Sequence, residues 1–248
     1  MKKEKKKINR SYLHQKCPIV LFLSTLFLLV TLRLGLFHIE NTYKDKVDLI
    51  TNFPISSQVY DRNGELLYEY FGDIRRIPVP AVELPQSLID ATLMAEDERF
   101  YNHPGFDPLG IARAFWRNML ASEIVEGGST LGQQLVKNTI LGPSDGYEDK
   151  IEEILLSVAV DAKYSKDAIL QLYLNTIPYG SNVYGAETAS RLYFGKHVKD
   201  LSVSESAILA SLPKHPTYLS PYGEHVNELE ERRDWVLEKM YSHKLISE

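Results

Sequence analysis

The apolar and polar positions divide the chain into one long apolar run and a series of shorter amphipathic segments. Residues 17–32 carry no charge; Arg33 interrupts the run and residues 34–37 resume it. A membrane span needs about 20 apolar residues. Arg33 lies near one end, where its stem can reach the interface, so residues 17–37 are expected as a transmembrane anchor. The run exceeds the apolar core of a signal peptide and no convincing small-x-small site follows Leu34, which favours an uncleaved anchor. Residues 38–57 are polar and mixed and are expected as a stalk. Residues 58–60 and 65–70 then flank Asp61-Arg62-Asn63-Gly64, the signature of a β-hairpin turn. Residues 72–85 are proline-rich and expected to be extended, and no strong strand signal follows.

From residue 85 onward the pattern is helical. Pro85 opens a helix expected to run through Phe100, with Leu88, Ala91, Leu93 and Ala95 partly buried. Asp107-Pro108 reads as an N-cap with proline in the first turn, and that helix carries Ile111, Ala114, Phe115 and Met119. Another helix starts near Ser129 or Thr130 and is stopped by Gly142-Pro143. Residues 147–163 form a long helix, with Ile151, Ile154, Leu155, Val158 and Ala162 as its expected apolar side. Ser165 caps residues 166–175, and Ser202 with Glu205 fits a capping box for a helix to about Ser211. Residues 224–244 are amphipathic. The fold class is mainly α with a small β addition, preceded by one transmembrane helix.

Composition refines this picture at the ends. The 248 residues carry a net charge of −5, but residues 1–16 hold seven basic side chains and one acid, so the remainder is strongly acidic. A basic flank before the span places a cytoplasmic tail at 1–16 and residues 58–248 outside the cytoplasmic membrane. The basic footprint of a nucleic-acid binder is absent beyond the tail. Cys17, the only cysteine, lies at the membrane edge, so the outer domain is held without disulfides and has no thiol nucleophile.

Candidate chemistry concentrates in three places. Glu96-Asp97-Glu98 sits inside a pattern that otherwise reads as a buried helix, and packing gives no reason for three adjacent acids there. Glu96 and Glu153 are the candidate pair: two carboxylates on one cleft can divide acid and base work when their surroundings separate their pKa values. Glu153 also fits a solvent-facing place beside Glu152. Asp97 can accept hydrogen bonds and shape the turn toward His103, itself read as structural rather than as a base. The third place is Gly127-Gly128-Ser129-Thr130, followed by Gln134, Lys137 and Asn138. Gly-Gly permits close backbone approach, and a helix start with a lysine suits a phosphate-bearing ligand. The Gly-x-x-x-x-Gly-Lys-Ser/Thr spacing of a nucleotide loop is missing. No cluster has zinc-ligand spacing, although a divalent ion bridging a carboxylate and a pyrophosphate is compatible with these residues.

At these residues the chain resembles the peptidoglycan glycosyltransferases, the transglycosylase module of class A penicillin-binding proteins and their monofunctional relatives. Residues 96–105 match the family's Glu-Asp-x-x-Phe-x-x-His-x-Gly segment. Residues 127–138 match Gly-Gly-Ser-Thr-x-x-Gln-Gln-x-x-Lys-Asn, and residues 150–153 match the end of Arg-Lys-x-x-Glu. Residues 161–175, 185–196 and 201–213 resemble later segments, so the likeness covers about residues 57–240. It implies a lysozyme-like fold with Glu96 as general base and Glu153 assisting at the donor pyrophosphate. It also implies Asp97, Ser129, Thr130, Gln134, Lys137, Asn138 and Lys150 at the substrate, with His103, Gly105, Gly127 and Gly128 structural beside it. The implied substrates are lipid II and a growing glycan strand. The implied cofactor is a magnesium or manganese ion near Glu153, with no organic cofactor, and other cell-wall synthesis proteins are candidate partners. If the roles are right, Glu96 and Glu153 open into one elongated cleft.

The family also uses an apolar segment between its first two motifs as a membrane-contacting jaw. Here residues 106–124 include Ile111, Phe115, Trp116, Met119 and Leu120, about half of which a core role would bury. Two departures stand out. Asp149 replaces the family's arginine, and Gly132 replaces its usual threonine. Both motivate an alternative, a catalytically weakened scaffold that binds lipid II. A lytic glycosidase is a further alternative, but it leaves the Gly-Gly-Ser-Thr segment and the lysines without a role. The set of motifs for a penicillin-acylating domain is not present together, so acylation by β-lactams is not expected.

Overall fold

The computed structural model describes residues 10–121, 127–143 and 146–247. The tail at 1–9, Glu126 and the end of the apolar stretch at 122–124 lie outside the described residues. Two compact units meet the chain boundary after Thr42. The long helix α1 (Arg10–Asp48) contains, with the turn that follows it, the stretch Phe22–Thr51, long and apolar enough to cross a membrane. Its side chains from Phe22 to Leu34 are exposed in bulk, as suits a lipid-facing helix.

The second unit begins at Tyr43. Residues 43–57, expected as part of a stalk, are packed into it: Val47 and Ile50 are buried. Lys46 pairs with Glu152 and Lys163 with Asp48, so polar residues that read as a linker are ion-pair partners of another helix. The hairpin follows as expected, with β1 (Ser57–Tyr60) antiparallel to β2 (Leu66–Tyr70). Asp61 closes its turn by accepting from the amides of Asn63 and Glu65, both at 2.8 Å.

A second sheet was not legible. β3 (Arg75–Arg76) runs parallel to β4 (Val183–Tyr184), two residues each. Arg76 is buried there, donating to the carbonyls of Pro54 and Thr176 at 3.1 Å. Its guanidinium lies over the rings of Phe53 and Tyr184, and burial pushes its pKa down to about 10.

The helical remainder comprises α2 (Gln86–Glu96), α3 (Pro108–Ala121), α4 (Leu131–Val136), α5 (Tyr147–Lys163), α6 (Lys166–Thr176), α7 (Ala186–Phe194), α8 (Val203–Ser211) and α9 (Val226–Ser242). One buried cluster lies where α2, α8 and α9 meet, with Ala91, Met94, Ala207, Ala210, Val236 and Met240 buried together. Ser165 caps α6 through the Ala168 amide, and Ser202 with Glu205 forms the reciprocal box at α8. Asp107 accepts from the Leu109 amide at 3.2 Å at the start of α3.

Three expectations need correction. α2 stops at Glu96 rather than Phe100, because Asp97 leaves helical geometry and a 3-10 turn covers Phe100–Asn102. The packed face of α5 is Glu153, Leu156, Ser157, Ala159 and Val160, whereas Ile151 is exposed. On that face Leu156, Ala159 and Val160 are buried, with α4 packed against the helix, and Ser157 donates to the Gly105 carbonyl. Among the described side chains of α3 only Ala114 is buried; Phe115, Trp116, Met119 and Leu120 are all exposed, so the core share expected of these residues is not there. Leu109 extends the same apolar exposure. Exposed patches of this kind mark interaction surfaces.

Candidate functional site

The site is built where α2 runs out. Asp97 turns its carboxylate inward: both oxygens lie 3.0 Å from His103 Nε2, and Oδ2 accepts from the Leu131 amide at 3.1 Å. That amide opens α4 and has no helical carbonyl to serve. Both side chains are buried, and the Asp97 carboxylate is engaged inside the fold.

Gly105 is the joint between three segments. Its carbonyl accepts from Thr130 Oγ1 at 2.7 Å and from Ser157 Oγ at 3.1 Å. Its φ is +78°, and a Cβ there would lie 2.7 Å from the Ser157 carbonyl carbon. Thr130 caps α4: its Oγ1 accepts from the Gln133 amide, and Gln133 Oε1 accepts from the Thr130 amide at 2.8 Å. The missing hydroxyl at Gly132 therefore leaves the cap intact. A Cβ at Gly132 would meet Ser157 Cβ at 3.6 Å, ordinary contact. Gly132→Ala is expected to raise stability by up to about 1 kcal/mol through helix propensity. Thermal unfolding checks this, and a lower melting temperature would show that the close α4–α5 approach needs glycine.

The capped helix aims Gln134 at Glu96. Gln134 Nε2 donates to Glu96 Oε2 at 2.8 Å, and Arg232 Nη2 donates to Oε1 at 3.0 Å. Arg232 is fixed by donating through Nε to the Ser211 carbonyl at 3.1 Å. The Glu96 side chain is only 10% exposed. Burial pushes its carboxyl above the usual carboxylate range, while Arg232, Gln134 and the Lys214 charge pull it back. A carboxylate so placed can accept a proton near neutral pH.

A cavity of about 680 Å³ opens over Glu96. Its walls include Gly127, Gly128, Ser129, Thr130 and Gln134, Arg113 and Arg117 of α3, Lys214, and Arg232, Trp235 and Lys239 of α9. The volume suits a ligand of several rings. Lys137, Asn138, Lys150 and Glu153 do not line it. Lys137 is exposed, and Asn138 donates back to the Gln134 carbonyl at 2.8 Å.

The expectation that both carboxylates open into one cleft therefore holds for Glu96 and not for Glu153. Glu153 lies on the packed face of α5, buried and paired with Lys150. Lys150 in turn donates to Ser129 Oγ at 2.9 Å, on the cavity wall. Among the described residues no three His, Cys, Asp or Glu side chains converge as a metal site. Glu153, the acid near which a magnesium or manganese ion was expected, is paired with Lys150.

Residues 63–241 match the Transglycosylase family. This chain belongs to the transglycosylase family. It is 39% identical over 210 residues to penicillin-binding protein 1A of Rickettsia typhi, covering 83% of this chain and 26% of that protein. It is 38% identical over 230 residues to penicillin-binding protein 1F of Bacillus subtilis, covering 93% and 32%. A crystal structure of penicillin-binding protein 1A from Haemophilus influenzae aligns over 79% of this chain and 19% of that one, at 29% identity and a TM-score of 0.41. The chain thus spans between a quarter and a third of the length of these two curated relatives.

Within this transglycosylase domain the unusual Asp149 has a local role. It stands in the first turn of α5, with Oδ2 folded toward Gly146 at the helix start. Negative charge there is favourable by roughly 0.3–1 kcal/mol. Sequence reasoning missed Arg232 as a partner of Glu96. The signal was present: Leu229, Val236 and Met240 are the buried stripe of α9, and Arg232 falls on it. An arginine in an apolar stripe calls for a buried acid.

Proposed function

We propose that this transglycosylase polymerises lipid II into peptidoglycan glycan strands at the outer face of the cytoplasmic membrane. The observation that carries the reading is Glu96, a nearly buried carboxylate clamped by Gln134 and Arg232 at the wall of a large cleft. Glu96 takes the proton from the 4-hydroxyl of the acceptor N-acetylglucosamine. The oxygen attacks C1 of the donor muramyl sugar, the C1–O bond to the pyrophosphate breaks with inversion, and undecaprenyl pyrophosphate departs with the electron pair. Arg232 keeps Glu96 ionised without occupying all of its lone pairs.

Charge developing on the pyrophosphate needs cationic partners. Lys150 at Ser129 is one, and Glu153 acts through it by holding the ammonium at the cavity wall. Arg113 and Arg117 on the cavity wall are others. Thr130 and Gln134 serve the donor indirectly, by shaping the cap and the base. The exposed apolar face of α3 contacts the bilayer in which the lipid chain stays, and α1 anchors the protein there. Other cell-wall synthesis proteins are the proposed partners.

The test is incubation of the detergent-solubilised full chain with labelled lipid II and a divalent ion. Long glycan and released undecaprenyl pyrophosphate are expected. A folded protein that binds lipid II and leaves it intact replaces this reading with the scaffold, and cleavage of preformed glycan replaces it with a glycosidase.

A further inference from the structure

The side-chain amide of Gln134 has two ends, and the end that faces Glu96 decides whether it helps or opposes the carboxylate. Nε2 donates to Glu96 Oε2 at 2.8 Å. Oε1 accepts from the Tyr173 hydroxyl of α6 at 2.9 Å. Tyr173 is fully buried. A flipped amide would set its carbonyl against the carboxylate and leave the phenol proton without that acceptor. The hydroxyl thus holds the amide in the one orientation that supports an ionised Glu96.

We propose that Tyr173 is a positioning residue for glycosyl transfer, acting through Gln134 to keep Glu96 an oriented carboxylate. The inference rests on Glu96 being the general base. Burial, followed by the nearby Glu96 charge, pushes the Tyr173 phenol well above its ordinary value, so it stays a proton donor across the working pH range. The other groups facing Glu96 are Arg232 of α9, Lys214 from the turn after α8, and the buried Tyr179 beyond α6. Asp97, next in the chain, also acts on Tyr173. Arg232 and Lys214 act by charge. The Tyr173–Gln134 arm acts by hydrogen-bond direction, so removing it leaves the charge set in place. Neither Tyr173 nor its hydroxyl is on the cavity wall, which separates this role from substrate contact.

The sign follows from which form each donor supports. A fixed N–H donor stabilises the carboxylate form and lowers its pKa; losing that fixed donor raises it. The acidic limb of the activity profile then moves to higher pH, because more of Glu96 is protonated at a given pH.

Tyr173→Phe in the detergent-solubilised full chain is the first test. The expected result is about a tenfold fall in kcat for lipid II at neutral pH, with KM changed less than about twofold and the acidic limb displaced upward. The second readout does not need turnover: the Glu96 carboxyl is titrated by infrared difference against Glu96→Gln, in wild type and in Tyr173→Phe. Its midpoint is expected to rise in the variant. Gln134→Leu removes the same arm from the other side, and adding Tyr173→Phe to it is expected to produce no further displacement. An unmoved midpoint in Tyr173→Phe, or additive displacements in the double variant, overturns the inference. A lowered melting temperature alone, with midpoint and profile unchanged, assigns Tyr173 to packing and overturns it too. A wild type that does not polymerise lipid II overturns the proposed reaction instead, and the titration still decides whether Tyr173 sets the state of Glu96.

Discussion

Glu96→Gln is expected to abolish lipid II polymerisation, with a loss of about 10²–10⁴-fold, the usual contribution of a general base. The substitution keeps the volume of the side chain, and its one amide oxygen can still accept from Arg232; the NH2 end then faces the Gln134 donor, so that single contact is lost while the packing stays. What it removes is the lone pair of an ionised oxygen that can take the acceptor's proton. In the wild type, burial raises the Glu96 pKa, so activity should fall on acidification at a pH above the ordinary carboxylate range. The same shift has a stability sign. The folded state binds the proton more tightly than the unfolded one, so ionising Glu96 costs stability as pH rises from its unfolded value through its folded one. Glu96→Gln removes that slope. Single-turnover rates across pH, with circular dichroism as a fold control, check both statements. Residual polymerisation near the wild-type level would move the base elsewhere.

Gly105→Ala is expected to destabilise the second unit by roughly 2–5 kcal/mol, combining a positive φ with backbone overlap. The overlap is with the Ser157 carbonyl, which is backbone of α5 and cannot swing aside. For a domain of this size the melting temperature should fall by roughly 4–20 °C. The loss reaches the site because the Gly105 carbonyl holds Thr130, and Thr130 starts the helix that carries Gln134. Activity should therefore fall even where the variant remains folded. A melting temperature within a degree of wild type would show that the loop relaxes freely, and that the joint is weaker than its geometry indicates.

The parts of this architecture that were readable in sequence are those fixed by local chemistry. The serine cap of α6 and the capping box of α8 are each set by residues within one turn. α7 escaped because its buried face contains Glu187, Thr188 and Ser190, which break the apolar stripe. Glu187 is satisfied by Arg191, His197 and the Val198 amide, partners that a periodicity cannot reveal. The site divides the same way. The acid run at 96–98 was legible because ionised groups rarely stand in a buried pattern without cause. Its resolution into a cleft-facing Glu96, an inward Asp97 and a Glu98 paired with Lys239 and His243 depended on distant helices. Glu153 shows the limit most plainly: its identity was legible, but the face of α5 that buries it was not.

The burial of Val47 and Ile50 bears on how the second unit can be separated from the apolar span. A cut placed at residue 57, where the hairpin begins, discards two core side chains and the ion pairs of Lys46 and Asp48 with α5. Trimming before Tyr43 keeps them. A truncated form without the apolar span must therefore retain the last stretch of the helix that leads out of it.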